Sequence, residues 1–192
     1  MKPNLAVITA STRESRFGHV VANWFVAQAV ASDLFDVDPI DLADMDLDRV
    51  QSQHHPKMGR YTPGVRAFAD RIGRADAFVF VTPEYNHGYP ASLKHAIDSI
   101  YAEWTLKPAA VVSYGGVSGG LRAAEQLRTV MAELRVHDIR EAVVLPKAPL
   151  LFDADGTPKD ADMDVAARNL LLELDWWAQA LMVARATTPF PL

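Results

Sequence analysis

The organisation of the chain is clearest in one segment near its middle, Val79-Phe80-Val81-Thr82-Pro83-Glu84-Tyr85-Asn86-His87-Gly88-Tyr89-Pro90. The first part is an apolar run that predicts a buried strand. The second part is a loop, marked by prolines and a glycine, that carries two tyrosines, an amide and a carboxylate. Open α/β sheets bind ligands beyond the carboxyl ends of their strands. The segment therefore predicts a ligand-binding loop on an α/β sheet.

Strand patterns alternate with amphipathic helical patterns along the rest of the chain. The predicted strands are Leu5–Thr9, Phe35–Ile40, Ala77–Thr82, Ala109–Tyr114 and Arg140–Leu145. The predicted helices begin near Phe17, after Pro63 and at Pro90, and cover Leu121–Leu134 and Ala161–Arg185. Strands that are each followed by a helix favour parallel pairing with right-handed crossovers. We predict an α/β fold of the three-layer α/β/α flavodoxin-like type, with a five-stranded parallel sheet in the order 2-1-3-4-5.

Composition narrows the classes of function. The chain has 192 residues, which fits a single domain over 1–192, and its net charge of −5 argues against a basic surface for nucleic acid. The absence of cysteine excludes disulfides, thiolate catalysis and Cys-ligated metal clusters. No apolar stretch approaches the roughly 20 residues of a membrane helix, and no signal-peptide pattern is present. We expect a soluble cytoplasmic protein without membrane or nucleic-acid partners.

A first polar loop, Ala10–Gly18, joins the first strand to the first helix. Ser11, Thr12 and Ser15 supply hydroxyls, and the helix start supplies unpaired backbone N–H groups. Such a place suits a phosphate because the donors converge and the helix dipole favours an anion. Arg13 and Arg16 add charge. The alternative is an ordinary helix start that Ser or Thr caps.

The loop at 83–89 leaves several interpretations open. Tyr85 and Tyr89 are suited either to stacking on a flat ligand or to lining the core. Asn86 is a residue that caps turns through its side chain. Glu84 and His87 resemble an acid–base pair, although an exposed ion pair at the tip of a loop is the simpler interpretation.

A third loop, Ser113–Gly120, contains four glycines in six residues. Glycine lets the backbone approach a ligand closely and present its N–H groups, although a flexible connection would have the same composition. The parallel sheet brings all three loops to one edge. Polar donors, aromatic faces and close backbone at the same edge point to a flavin.

Three sequence motifs together resemble those of one known family. Pro83-Glu84-Tyr85-Asn86, followed by Pro90 and by Leu93-Lys94-His95-Ala96-Ile97-Asp98, resembles the pattern of the flavodoxin-like NAD(P)H-dependent FMN reductase family, which includes quinone, azo-dye and chromate reductases. The first loop resembles its phosphate loop, and Lys107-Pro108 with the loop at 113–120 resembles its third motif. The similarity covers about residues 4 to 146. Ala10 departs from the glycine that the family often has before the serine.

The resemblance implies FMN as the cofactor, with NADPH or NADH as electron donor and a quinone, azo compound, free flavin or metal oxyanion as acceptor. It implies no catalytic side chain and no metal, because FMN carries the chemistry. It also implies a homodimer or a dimer of dimers. The residues implied to bind FMN are Ser11, Arg13, Ser15, Arg16, Phe17 and Gly18 at the phosphate, Pro83, Glu84, Tyr85 and Asn86 along the isoalloxazine, and Ser113, Tyr114, Gly115 and Gly116 at its pyrimidine end.

Other functions remain as alternatives. An electron carrier or redox sensor would use the same FMN site without oxidising a nicotinamide. A hydrolase is disfavoured because no G-x-S-x-G elbow is present. A metal site at His54-His55 is disfavoured because adjacent histidines on a loop usually point apart. Aromatic residues are enriched at protein interfaces, so some of the aromatic residues near the predicted site are candidates for a dimer interface. They are Tyr61, Tyr89, Tyr101 and Trp104.

Overall fold

The computed structural model describes residues 2–191, so Met1 and Leu192 lie outside the described range. The strands are β1 (Asn4–Thr9), β2 (Asp36–Asp41), β3 (Ala77–Pro83), β4 (Pro108–Gly115), β5 (His137–Asp138) and β6 (Val143–Pro146). The α-helices are α1 (Gly18–Ala31), α2 (Pro63–Arg74), α3 (Ala91–Ser99), α4 (Leu121–Glu133) and α5 (Asp162–Thr187). The predicted alternation of strands and helices is confirmed.

The strands form one sheet in the order β2-β1-β3-β4-β5, and β6 also pairs with β4. All of the pairings are parallel. The predicted order 2-1-3-4-5 is therefore confirmed, with the fifth position shared between two short strands. This order places the ends of β1, β3 and β4 side by side.

The predicted fifth strand, Arg140–Leu145, is wrong at its start. Pairing with β4 begins earlier, at His137 and Asp138, stops, and resumes at Val143. The interruption coincides with a contact to a distant residue, because the backbone N–H groups of Arg140 and Glu141 donate to the carboxylate of Glu173 (3.3 and 3.0 Å). The Glu173 side chain on α5 thus takes the N–H of Glu141, which a continuous strand would direct to β4, together with the neighbouring N–H of Arg140.

The core consists of two layers, one on each face of the sheet. Val79 and Val81 of β3 pack in the layer of α1 and α5, whereas Phe78 and Phe80 pack in the layer of α2, α3 and α4. Trp104, a candidate for the dimer interface, instead lies in the second layer, 5.1 Å from Phe78 between ring centroids and 1% exposed. Burying such a side chain contributes about 1.5–3 kcal/mol, which explains why it stays inside the subunit.

Lys107 links α2 to the start of β4. Its ammonium is largely buried and donates to the carbonyls of Ile72, Gly73 and Glu103 (2.9, 3.0 and 2.9 Å). A cation is favourable at the C-terminal end of a helix, where carbonyls lack partners within the helix. Lys107 therefore serves as the C-terminal cap of α2.

Helix α5 is the longest element, with 26 residues. It packs beside α1, and the indole N–H of Trp24 donates to Asp164 across this contact (2.8 Å). Within residues 2–191, none of the helices combines the length and the apolar character needed to cross a bilayer. Helix α1 begins at Gly18, as predicted near Phe17, whereas Pro90, which was predicted to begin the next helix, precedes α3 as its N-cap.

Candidate functional site

The three loops meet around a cleft of about 420 Å³ at the carboxyl edge of the sheet. Most of the predicted site residues line it. They are Arg13, Ser15, Arg16, Phe17, Pro83, Glu84, Tyr85, Tyr114, Gly115 and Gly116. Four predicted residues do not line this cleft: Ser11, Gly18 and Ser113 are buried beside it, and Asn86 is exposed at the tip of its loop. The structure thus brings the three predicted motifs together.

The backbone of the first loop is rich in unpaired donors. The N–H groups of residues 11–15 and of Phe17, which we call the N–H cradle, have no acceptor among the residues that the structure describes. Phe17 is the N-cap of α1, and its side chain makes no capping hydrogen bond. The alternative of a helix start capped by Ser or Thr is therefore wrong. An uncapped helix N-terminus with adjacent free N–H groups is a favourable place for an anion.

Side chains of the first loop hold it against the second. The hydroxyls of Ser11 and Tyr85 share a hydrogen bond of 2.7 Å. The guanidinium of Arg13 lies over the ring of Tyr85, 3.7 Å from its centroid. Arg16 pairs with Asp41 at the end of β2 (2.7 Å). Tyr85 is thus fixed from two sides, and one face of its ring is already covered by a cation.

Buried polar atoms without partners cluster in this region. Four buried side-chain atoms in residues 2–191 lack a hydrogen-bond partner: Arg16 Nε, Ser113 Oγ, Tyr114 Oη and Asp138 Oδ1. Three of them belong to predicted site residues. Since buried polar groups are nearly always paired, this concentration indicates a place where a polar ligand completes the hydrogen bonding.

Gly18 allows Tyr114 to lie beneath the start of α1. A Cβ atom at Gly18 would collide with the hydroxyl of Tyr114. Burial raises the pKa of Tyr114, so its hydroxyl is protonated and available as a donor. Gly18 therefore acts by making room, which explains why it has no exposed surface in the cleft.

The second loop turns sharply between Tyr85 and Gly88. Each of these residues donates its N–H to the carbonyl of the other (2.8 and 3.1 Å), and the two residues between them, Asn86 and His87, have positive φ angles of 51° and 70°. Asn86 contributes through this backbone conformation, to which asparagine is well suited. Tyr89 packs partly buried against the second core layer, so the interpretation of Tyr89 as a core residue is the correct one.

Glu84 joins the second loop to the third. Its carboxylate accepts hydrogen bonds from the Ser118 hydroxyl (2.9 Å), from the backbone N–H of Arg122 (3.1 Å) and from Nε of Arg122 (2.7 Å). Burial alone would raise the pKa of Glu84, but the bonds from Arg122 and Ser118 outweigh it and lower the pKa. Glu84 is thus an ionised cap of α4. His87 bonds to Arg122 rather than to Glu84 (2.8 Å).

The third loop depends on two glycines with left-handed backbone. Gly119 and Gly120 have φ angles of 63° and 88°. A Cβ at Gly120 would lie 2.8 Å from Cβ of Ser113 and from the backbone nitrogen of Tyr114. Gly116, by contrast, has open space where its Cβ would be. The loop is therefore tightly packed at its end and open at Gly116, beside the cleft.

Sequence reasoning missed three residues of the cleft wall and one that supports it. Lys147, Ala148 and Pro149 line the cleft after β6, and Lys147 N–H donates to the carbonyl of Gly116 (2.8 Å). The available signal was their position after a strand that ends at the same edge of the sheet. Arg122 was missed because its partner Glu84 lies on another loop.

Two of the alternative sites are Ser118, for a hydrolase, and the His54-His55 pair, for a metal. The Ser118 hydroxyl donates to the Glu84 carboxylate, which is also held by Arg122, and within residues 2–191 no histidine bonds to Ser118 as the base of a catalytic triad would. His55 Nδ1 accepts from the N–H of Lys57 (3.1 Å). In the described part of the chain, no group of three or more His, Asp or Glu side chains is arranged to hold a metal ion.

Comparison with known proteins gives concordant matches. The profile of a family described as NADPH-dependent FMN reductase matches residues 3–149. The chain is 40% identical over 150 residues to an NAD(P)H-dependent FMN reductase of Schizosaccharomyces pombe, covering 76% of this chain and 74% of that protein. It is 35% identical over 145 residues to an NAD(P)H:quinone oxidoreductase of Solanum tuberosum, covering 72% and 71%. Among solved structures, the flavoenzyme FerB from Paracoccus denitrificans shares the fold, with a TM-score of 0.75 at 24% identity over 93% of this chain and 98% of that chain.

Proposed function

Because this chain belongs to the NADPH-dependent FMN reductase family, we propose that it is an oxidoreductase that binds FMN in the cleft between its three loops. The observation that carries the proposal is the set of unpaired donors at the start of α1. The N–H cradle, the uncapped helix terminus and the cations of Arg13 and Lys147 together form a donor set for a phosphate.

The remaining predicted residues fit the other parts of the same cofactor. Pro83, Glu84 and Tyr85 form one wall of the cleft, and Tyr114 and Gly115 form another. The unpaired hydroxyls of Ser113 and Tyr114 are suited to polar atoms of the ligand. When bound, FMN would supply the redox chemistry that links oxidation of NAD(P)H to reduction of an acceptor, in the ping-pong sequence that we propose.

The protein contributes binding and orientation. The bonds between Glu84 and Arg122 hold the second loop against the start of α4, and the bond between Ser11 and Tyr85 holds it against the first loop. The walls are thereby fixed before the ligand arrives, which lowers the entropic cost of binding. We propose a quinone, an azo compound, a free flavin or a metal oxyanion as the acceptor, with NADPH or NADH as donor.

The test is to load the purified protein with FMN and to add NADPH, then NADH, without oxygen while recording the visible absorbance of the flavin. Bleaching by either nicotinamide, followed by recovery when a quinone is added, is the expected result. Bound FMN that neither nicotinamide bleaches would overturn the reductase proposal and would favour an electron carrier or redox sensor.

We also propose that the protein is a homodimer through the face of α2 and α3. Tyr61 and Tyr101 remain partly buried on that face, as side chains completed by a partner would be. Sedimentation equilibrium at micromolar concentration tests this proposal. A monomer mass at every concentration would contradict it.

A further inference from the structure

Helix α5 carries a second apolar surface directly opposite its buried face. Its exposed apolar residues are Val165 (55% exposed), Leu172 (51%), Trp176 (63%) and Val183 (63%), which we call the outer stripe. At about 100° per residue, these four positions fall within about 20° of one line along the helix. The core residues Met163, Leu170 and Leu174 lie on the other side. A surface helix normally has one apolar face, so the outer stripe needs its own explanation.

The outer stripe is symmetric about residue 174. Val165 and Val183 lie nine residues to either side of Leu174, and Leu172 and Trp176 lie two residues to either side. If two α5 helices pack antiparallel across a two-fold axis at this level, Val165 meets Val183 of the second copy, and Leu172 meets Trp176 of the second copy. A two-fold interface requires this self-complementarity. We propose that α5 pairs with α5 of a second copy of this chain.

The charges along α5 fit this pairing. The residues within about 40° of the central line of the outer stripe, which include Asn169 and Gln179 as well as the stripe itself, are all uncharged. Arg168 has no ion-pair partner among residues 2–191, and the two-fold places it beside Gln179 of the second copy. The seam is thus free of charge and its rim is polar, as in established interfaces.

Trp176 is already ordered for such a contact. Its ring packs edge-to-face on Trp177, with 4.8 Å between centroids, and Trp177 in turn packs on His137 at 3.9 Å. A tryptophan held in place before association loses little entropy when a partner covers it. Trp176 is therefore the expected energetic centre of the interface.

Size determines how strong the pairing can be. A helix of this length is roughly 39 Å long and roughly 10 Å wide, so the contact buries about 400 Å² on each copy and about 800 Å² in total. That is below the roughly 1,200 Å² of a stable interface, so the pair associates reversibly. Because α5 and the tyrosine-bearing face lie on opposite sides of the sheet, α5 pairing would join two dimers into a dimer of dimers.

The cysteine-free chain allows a test of both register and direction. Val165→Cys and Val183→Cys are prepared as separate proteins, mixed, and exposed to a mild oxidant. Since positions 165 and 183 are about 27 Å apart along one helix, antiparallel pairing gives a disulfide between the two different variants and none within either variant alone. Crosslinks of each variant with itself would indicate parallel pairing and would overturn the proposal.

Matched charge variants supply the second measurement. Trp176→Glu in both cysteine variants should lower the yield of the mixed disulfide at least about tenfold. Val50→Glu changes a residue that is 81% exposed elsewhere and should leave the yield unchanged, while circular dichroism checks that both proteins fold. A mixed disulfide that is absent throughout, or that is insensitive to Trp176→Glu, would overturn α5 pairing.

Discussion

The carboxylate of Glu84 accepts hydrogen bonds from both the backbone and the guanidinium of Arg122 (3.1 and 2.7 Å). This pair joins the loop after β3 to the start of α4, and only 6% of the Glu84 side chain is exposed. A carboxylate at a helix N-terminus is favoured by the helix dipole. Glu84 therefore fixes the relative position of two walls of the cleft, in addition to lining it.

Glu84→Gln should weaken FMN binding by about tenfold, because losing one charged partner removes about 1.5 kcal/mol of orienting interaction. Fluorescence titration of the apoprotein with FMN measures the dissociation constant. His87→Ala is the control, since it removes a contact to Arg122 but leaves the carboxylate in place. Equal losses in both variants would contradict the assigned role of Glu84.

The stability that Glu84 contributes should depend on pH. Its pKa is lowered in the folded protein, so the unfolded chain binds more protons as the solution becomes acidic. The contribution is therefore complete above the ordinary glutamate pKa of about 4.3 and is lost as pH falls through the folded pKa. Urea unfolding should show the wild-type advantage over Glu84→Gln unchanged at neutral pH and shrinking as the pH falls below about 5. A constant difference would refute this explanation.

The two glycines of the third loop should respond differently to alanine. Gly120→Ala brings a Cβ to 2.8 Å from the backbone of Tyr114 at a φ of 88°, and we expect a loss of about 1–3 kcal/mol in the free energy of unfolding. Gly116→Ala meets nothing within 4 Å and should change stability by less than about 0.5 kcal/mol. Thermal unfolding of both variants checks the contrast, and equal destabilisation would count against this packing.

Lys107→Met should destabilise the fold by about 2–4 kcal/mol, because it leaves two carbonyls at the end of α2 and the carbonyl of Glu103 without their donor. The matched control is Lys94→Met. Lys94 pairs with Asp98 across one helical turn at a more exposed position, and such a pair contributes about 0.3–0.5 kcal/mol. Denaturant unfolding compares the two variants, and a similar small loss in both would show that Lys107 is not a cap.

Arg13→Ala should raise the dissociation constant of FMN several-fold by removing a cation from the cleft wall. The substitution also uncovers the ring of Tyr85, which would affect binding of the flavin ring itself. Binding of riboflavin, which has the same ring but lacks the phosphate, is therefore measured in parallel. If Arg13 acts on the phosphate, its loss weakens FMN binding more than riboflavin binding. An FMN affinity that is unchanged in Arg13→Ala would refute the role of Arg13 in binding the phosphate.

Much of the fold can be predicted from local sequence patterns. The errors in the prediction come from contacts between residues that are distant in the sequence. The alternation of strands and helices suffices for the sheet order and for placing the three loops at one edge. The break between β5 and β6 depends on Glu173, which lies some thirty residues further along the chain. No periodicity within Arg140–Leu145 could reveal it.

The same reasoning applies to the candidate site. Loops that present their backbone to a ligand are recognisable from their serine, glycine and proline residues, so most of the residues that line the cleft were predictable. The role of Glu84 was not predictable, since its partner Arg122 lies in the first turn of a helix beyond the next strand. Lys147 was missed because its contact with Gly116 forms only when the strands are aligned. Trp104 was a candidate for the dimer interface because its core contacts with Phe68 and Phe78 join residues far apart in the sequence.

The central claim is that the start of α1 holds the phosphate of FMN, and the most direct test compares the affinities of the apoprotein for FMN and for riboflavin. The two ligands carry the same ring and differ in the phosphate. With several unpaired N–H groups available, we expect FMN to bind at least about 100-fold more tightly, or about 2.7 kcal/mol. Equal affinities for FMN and riboflavin would contradict the claim.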